Sequence, residues 1–129
     1  MLRKFGVLVI GIFLLVFTCS CLPSFQESKD QKTSQAFIQS FIDRDVPKMW
    51  DLMGPELRAN NMDDPEYLAF VMESWDARGV SQKEPVYHGQ RLYDGVNIFI
   101  YTFVQSQDNT DRLMVYAIGV QDGHVIFVR

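Results

Sequence analysis

The sequence predicts an α+β fold, three N-terminal helices packed on a curved four-stranded antiparallel meander sheet, and three observations carry that expectation. Apolar residues recur at helical spacing between Ser34 and Trp75, then switch to a period of two after Gly79. Asp94-Gly95 and Asp122-Gly123 each separate two strand-like runs, and Asp-Gly is a favoured two-residue hairpin turn. Gly89 and Gly119 fall inside strands, where glycine marks a bulge or a sharp bend, so the sheet should curve strongly.

The first helix is expected from Ser34 to Arg44, burying a stripe of Phe37, Ile38, Phe41 and Ile42. Asp45 caps a short second helix with Pro47 in its first turn, apolar Met49, Trp50, Leu52 and Met53, and Gly54-Pro55 as its stop; "PELRAN" adds one more helical turn. In "DDPEYLAFVMESWDARG", Asp63 with Glu66 forms a capping-box pattern, Pro65 lies in the first turn and Gly79 ends the third helix. Its buried face is read as Tyr67, Leu68, Val71, Met72 and Trp75, a stripe that could serve a ligand but more commonly packs a core. The strands are "PVYHGQRLY", "VNIFIYTFV", "RLMVYAIGV" and "HVIFVR", with "QSQDNT" as a polar loop between the two hairpins.

Ahead of these elements, Met1 to Lys4 is basic, the thirteen residues from Phe5 to Phe17 carry no polar side chain, and Thr18 to Cys21 form a small-residue zone. This is the order of an export signal. An uncleaved anchor is the alternative, because the uncharged stretch from Phe5 to Leu22 is 18 residues long. At about 1.5 Å per residue it just approaches the hydrocarbon thickness, but it ends in cysteines and not in an aromatic and basic flank. Cys19 and Cys21 are the only two cysteines, with no second ligand pair nearby and with His88 and His124 far off in sequence, so a metal site is not expected.

The segment resembles a bacterial lipoprotein signal peptide, in which the cysteine after the cleavage point receives diacylglycerol. That resemblance implies a signal at residues 1–20, a lipidated Cys21, a tether over 21–32 and a domain over 33–129, held at the cell membrane or outer membrane on the extracytoplasmic side. Cleavage before Cys21 follows the small residues Thr18 and Ser20, whereas cleavage before Cys19, the alternative site, leaves bulky Phe17 beside Thr18. Ordinary secretion is the plainer reading. Removing Arg3 and Lys4 from the 12 basic side chains leaves 10 against 16 acidic ones, a net charge of −6. Such a surface repels phosphate backbones, and nucleic-acid binding is disfavoured.

The first helix with Ala36-Phe37-Ile38, the Asp45-to-Gly54 helix with "KMWDLM", then "PELR", a third helix and a meander ending near Gly123 resemble small lipoprotein domains of the nuclear transport factor 2-like superfamily. The resemblance spans residues 33–129 and implies a cone-shaped α+β roll around a pocket. Isomerases, dehydratases, transport factors and non-catalytic binding or assembly domains share this fold, so the fold does not select an activity. Enzymes of the superfamily set Asp, His or Tyr on strands facing the pocket.

With a regular first hairpin, Tyr93 faces Val96 and counting back sets His88 opposite Tyr101. Such a pair could polarise a carbonyl or shuttle a proton. No carboxylate is placed to orient the histidine, a bulge at Gly89 would break the register, and an ordinary strand histidine is the plainer reading. Asp45, Asp63, Asp64, Asp94, Asp108, Asp111 and Asp122 have local roles as caps or turn residues. No nucleophile elbow, phosphate loop or metalloprotease motif is present. The chain is therefore expected to be no enzyme and to need no cofactor, the alternative being an isomerase or dehydratase that uses His88 and Tyr101.

Neither sheet face is polar. Phe99, Tyr101 and Phe103 alternate with Ile98, Ile100 and Val104, and Tyr116, Ile118, Val120, Val125 and Phe127 alternate with Val115, Ala117, Ile126 and Val128. A sheet covered on one face only should alternate apolar with polar residues. Ile98, Ile100, Val115, Ala117, Ile126 and Val128 are thus expected to meet a second copy or an envelope protein, unless the sheet curls over them. The expected function is a lipid-anchored binding or assembly domain of the bacterial envelope, serving a small apolar ligand or a protein partner. A membrane-tethered dimerisation module is the third reading.

Overall fold

The structure, a computed structural model, describes residues 27–129. Four helices come first, α1 (Lys29–Ile42), α2 (Val46–Leu52), α3 (Pro55–Asn60) and α4 (Pro65–Ala77). Four strands follow, β1 (Ser81–Tyr93), β2 (Val96–Gln107), β3 (Thr110–Gln121) and β4 (His124–Val128), in one antiparallel sheet of order β1-β2-β3-β4. This is the helices-then-meander α+β arrangement read from the sequence, with "PELRAN" forming a helix of its own.

The helix ends follow local chemistry. Ser28 Oγ accepts the Gln31 N–H at 3.1 Å, so α1 starts at Lys29 and not at Ser34. Asp30, in that extra turn, accepts from Asn97 Nδ2 at 2.8 Å and from the Gly123 N–H at 3.1 Å, tying α1 to the start of β2 and to the last hairpin. Asp45 caps α2 by accepting the Lys48 N–H at 3.2 Å. The cap of α4 is Asp64, which accepts the Glu66 N–H at 2.9 Å, and not Asp63. Proline favours the position directly after a cap, so Pro65 fixes Asp64 there and leaves Asp63 in the left-handed region at φ 50°. At the other end the Gly79 N–H reaches the Asp76 carbonyl at 2.9 Å and the Val80 N–H the Trp75 carbonyl at 3.0 Å, a Schellman motif.

"QSQDNT" is not a loop. β2 and β3 stay paired from Asn97↔Val120 to Gln107↔Thr110, and Asp108-Asn109, at φ 51° and 58°, make a third two-residue turn. β1 shifts register between Lys83 and Val86 and again between Tyr87 and Gly89, where Gly89 adopts φ 137° and supplies the expected bulge. A third shift lies beside Gly119, but its extra residue is on β4: Val120 pairs with Val125 and Gly119 with Phe127, leaving Ile126 between them. A Cβ at Gly119 would overlap the Phe127 ring, so only glycine admits this approach. The bulge exchanges two faces expected from plain alternation. Val128 pairs with Ile118 on the helix side, and Phe127 lies on the outer side.

The core sits between the helices and one sheet face. Phe37, Ile38 and Phe41 of α1 lie over Phe99, Tyr101 and Phe103 of β2, with Ile118, Val120 and Val125 beside them. The rings of Phe103 and Tyr116 are 4.7 Å apart and those of Phe41 and Phe103 6.0 Å, a packed aromatic row. Leu68 and Met72 of α4 are buried as expected, whereas Tyr67 is exposed beside them.

Candidate functional site

The bulge at Gly89 puts Tyr87 opposite Tyr101, so the expected His88–Tyr101 pair does not form. Tyr101 is buried on the helix side with its hydroxyl 2.7 Å from Ser34 Oγ, and Ser34 donates to the Gln31 carbonyl at 2.8 Å. Burial pushes the Tyr101 phenol above its ordinary value of 10.0, opposed in part by Ser34, which can turn its proton toward a phenolate. His88 is exposed, and its Nε2 lies 2.7 Å from the hydroxyl of Thr102, whose side chain alternates to the opposite face from Tyr101. His124, after the last turn, is also exposed.

Most of the carboxylates keep the local roles read from the sequence, but Asp63 is not the helix cap and Asp111 lies within β3 and not in a turn. Asp94, Asp108 and Asp122 open the three hairpin turns at φ 49°, 51° and 52°. Asp111 accepts from Ser106 Oγ and lies 3.6 Å from Lys83 Nζ, and these contacts, the hydroxyl foremost, hold its carboxyl below the ordinary 3.8. Among the described residues no group of three His, Cys, Asp or Glu is placed to hold a metal, and no helix is long and apolar enough to cross a membrane. Cys19 and Cys21 lie outside the described residues.

Two apolar features remain. The first is the outer sheet face. Pairing sets Ile98, Ile100, Val115 and Ala117 on it together, with Val115 62% exposed and neighbouring Leu113 71% exposed. Of the other two residues expected there, Val128 has turned inward to the core. Ile126 is the extra residue of the bulge and stands beside Gly54, whose N–H donates to the Val125 carbonyl at 2.7 Å and covers the β4 edge.

The second is a cavity of about 170 Å³ under α1. α1 lends it Phe37 and Ile38, α2 Met49, α3 Leu57, α4 Leu68 and Trp75, and the sheet Tyr116 and Val128, with Met53 at the α2–α3 junction. Asn61 also lines it, with its amide nitrogen donating to the Leu57 carbonyl at 2.9 Å. Burial pushes the Tyr116 phenol above 10.0. The lining therefore offers apolar contact nearly throughout, with Asn61, Tyr116 and the Trp75 indole as its hydrogen-bonding side chains. Sequence reasoning places most of these residues in a core but has no signal for the void, which depends on where packed side chains point. The inward turn of Val128, which helps close it, follows from a bulge that Gly119 only hints at.

No family model matches the sequence, and no curated protein matches it. The fold does have a solved counterpart, an M. tuberculosis LEH-like epoxide hydrolase, at TM-score 0.57 and 15% identity over 78% of this chain and 80% of that one. A likeness at this identity speaks to the fold alone, and it supports the arrangement of helices followed by an open four-stranded antiparallel sheet.

Proposed function

We propose that this chain is a lipid-anchored binding domain of the bacterial envelope whose cavity takes a small apolar group without transforming it. The observation that carries the reading is the apolar cavity of about 170 Å³. A dry cavity of about 150 Å³ accommodates benzene, so the size suits a single ring or the end of an acyl chain. A hydrolytic reading draws on the epoxide hydrolase that shares the fold, but opening an epoxide with water calls for a group to activate the water and one to protonate the oxygen. The described lining carries no carboxylate or histidine for these steps, which weighs toward binding.

A ligand that enters only the folded state raises the melting temperature by mass action. Toluene is expected to raise it for the wild type and not for Leu68→Phe, which fills the cavity. The binding reading fails if toluene has no effect, or if it raises both proteins equally.

A further inference from the structure

We infer that the tip of the β1–β2 hairpin, Leu92 and Tyr93 with the turn beyond them, rests in the headgroup layer of the membrane that carries the anchor; the inference depends on the lipid-anchored reading above. Tyr93 and Leu92 are 73% and 71% exposed at the last two positions of β1. The same end of the domain receives the chain from its N-terminus. Asp30, close behind Glu27 in the chain, accepts from Asn97 at 2.8 Å and from the Gly123 N–H at 3.1 Å, and Asn97 pairs with Leu92. A Cβ at Gly95 would lie 3.8 Å from Gln121 Nε2, so the first and last hairpin turns stand side by side there. From a lipid on Cys21 the chain reaches Glu27 in six residues, a span of at most about 20 Å. β2 alone, at about 3.3 Å per residue, is roughly twice that length, so the tether brings the hairpin tip to the headgroups and not the far end of the sheet.

The two side chains also select lipid over a protein partner. Neighbouring strand residues point to opposite faces, so Leu92 lies on the helix side with Asn97 and Tyr93 on the outer side with Val96. A protein packed on either face leaves the other side chain in water, whereas headgroups close around a protruding tip from both sides. Tyrosine suits that layer, with an apolar ring and a hydrated hydroxyl. The charges at this end are of both signs. Arg91, Lys29 and Lys32 are exposed, Asp94 and Asp122 lie in the turns, and Asp30 and Glu27 already accept from Asn97 and Gln35. Such a mixture fits a zwitterionic headgroup, and the Asp94 carboxylate limits insertion to that depth, because a charge in hydrocarbon is costly.

The test reconstitutes the full-length lipidated chain, its mass read beforehand, in phosphatidylcholine vesicles whose acyl chains carry bromine near the headgroup to quench tryptophan. Trp50 and Trp75 supply the background, and Trp75 packs on Phe41, toward the opposite end of α1 from Asp30. Tyr93→Trp should lose roughly half of the added emission, since the ring sits at headgroup level, while Leu113→Trp at the other end of the sheet should lose no more than the wild type. Both positions are exposed, so neither substitution disturbs the core. A lipidated chain in which Tyr93→Trp is unquenched, or is quenched no more than Leu113→Trp, would overturn the docking and leave the anchor standing. A mass without lipid would instead overturn the anchor, and the docking with it.

Discussion

Tyr101 is anchored to α1 by one hydroxyl contact, and its consequences are measurable. Ser34→Ala removes the oxygen that partners the buried phenol, and an orphaned buried hydroxyl costs about 1–3 kcal/mol. Urea unfolding should show a lowered midpoint with an unchanged slope. Tyr101 and Tyr116 both have phenols raised by burial. A raised folded value means stability that is fully present below pH 10.0 and is lost as pH climbs through the folded values. Phenolate absorbance should thus show these two of the five tyrosines ionising late, together with alkaline loss of structure; ordinary ionisation in a folded protein would contradict it. Neither Ser34 nor Tyr101 announces the other in sequence, since their meeting depends on how α1 lies over β2. Asp30 reads as part of a tether for the same reason, its partners Asn97 and Gly123 being remote in the chain.

At the scale of elements, the sequence is most legible where a turn needs particular chemistry. Asp94-Gly95 and Asp122-Gly123 locate two hairpins, whereas Asp108-Asn109 is hidden because it lacks glycine and is flanked by polar strand ends. All three turns use the left-handed region. Asn109→Gly should therefore raise the melting temperature modestly, since glycine meets no Cβ clash there, and Asn109→Val should lose about 1–2 kcal/mol, because a β-branched side chain resists that region far more than asparagine does. Thermal melts of both variants check the pair, and a neutral Asn109→Val would mean that the turn is not held as described. Gly119 indicates the β4 bulge in position but not in effect. One extra residue on the facing strand exchanges Phe127 with Val128, and only the paired register reveals which strand carries it.

For the whole molecule, the helices-then-meander fold and the apolar outer face are within reach of the sequence, because both rest on periodicity. The cavity is beyond it, since a void is a property of how packed side chains fail to meet. The proposed anchor is tested apart from the fold: metabolic labelling with a fatty-acid analogue should give a membrane-bound product that Cys21→Ala abolishes. Labelling kept in Cys21→Ala but lost in Cys19→Ala would move the site, and an unlabelled wild type would remove the anchor. The central claim is that an apolar group enters the space beside Met49 and Met53. Methyl-resolved NMR of the protein titrated with benzene addresses it directly. The Met49 and Met53 methyls should shift saturably, with contacts to the benzene protons, while exposed Met62 stays unmoved; shifts confined to Leu113 and Val115, or no saturable shift at all, would contradict it.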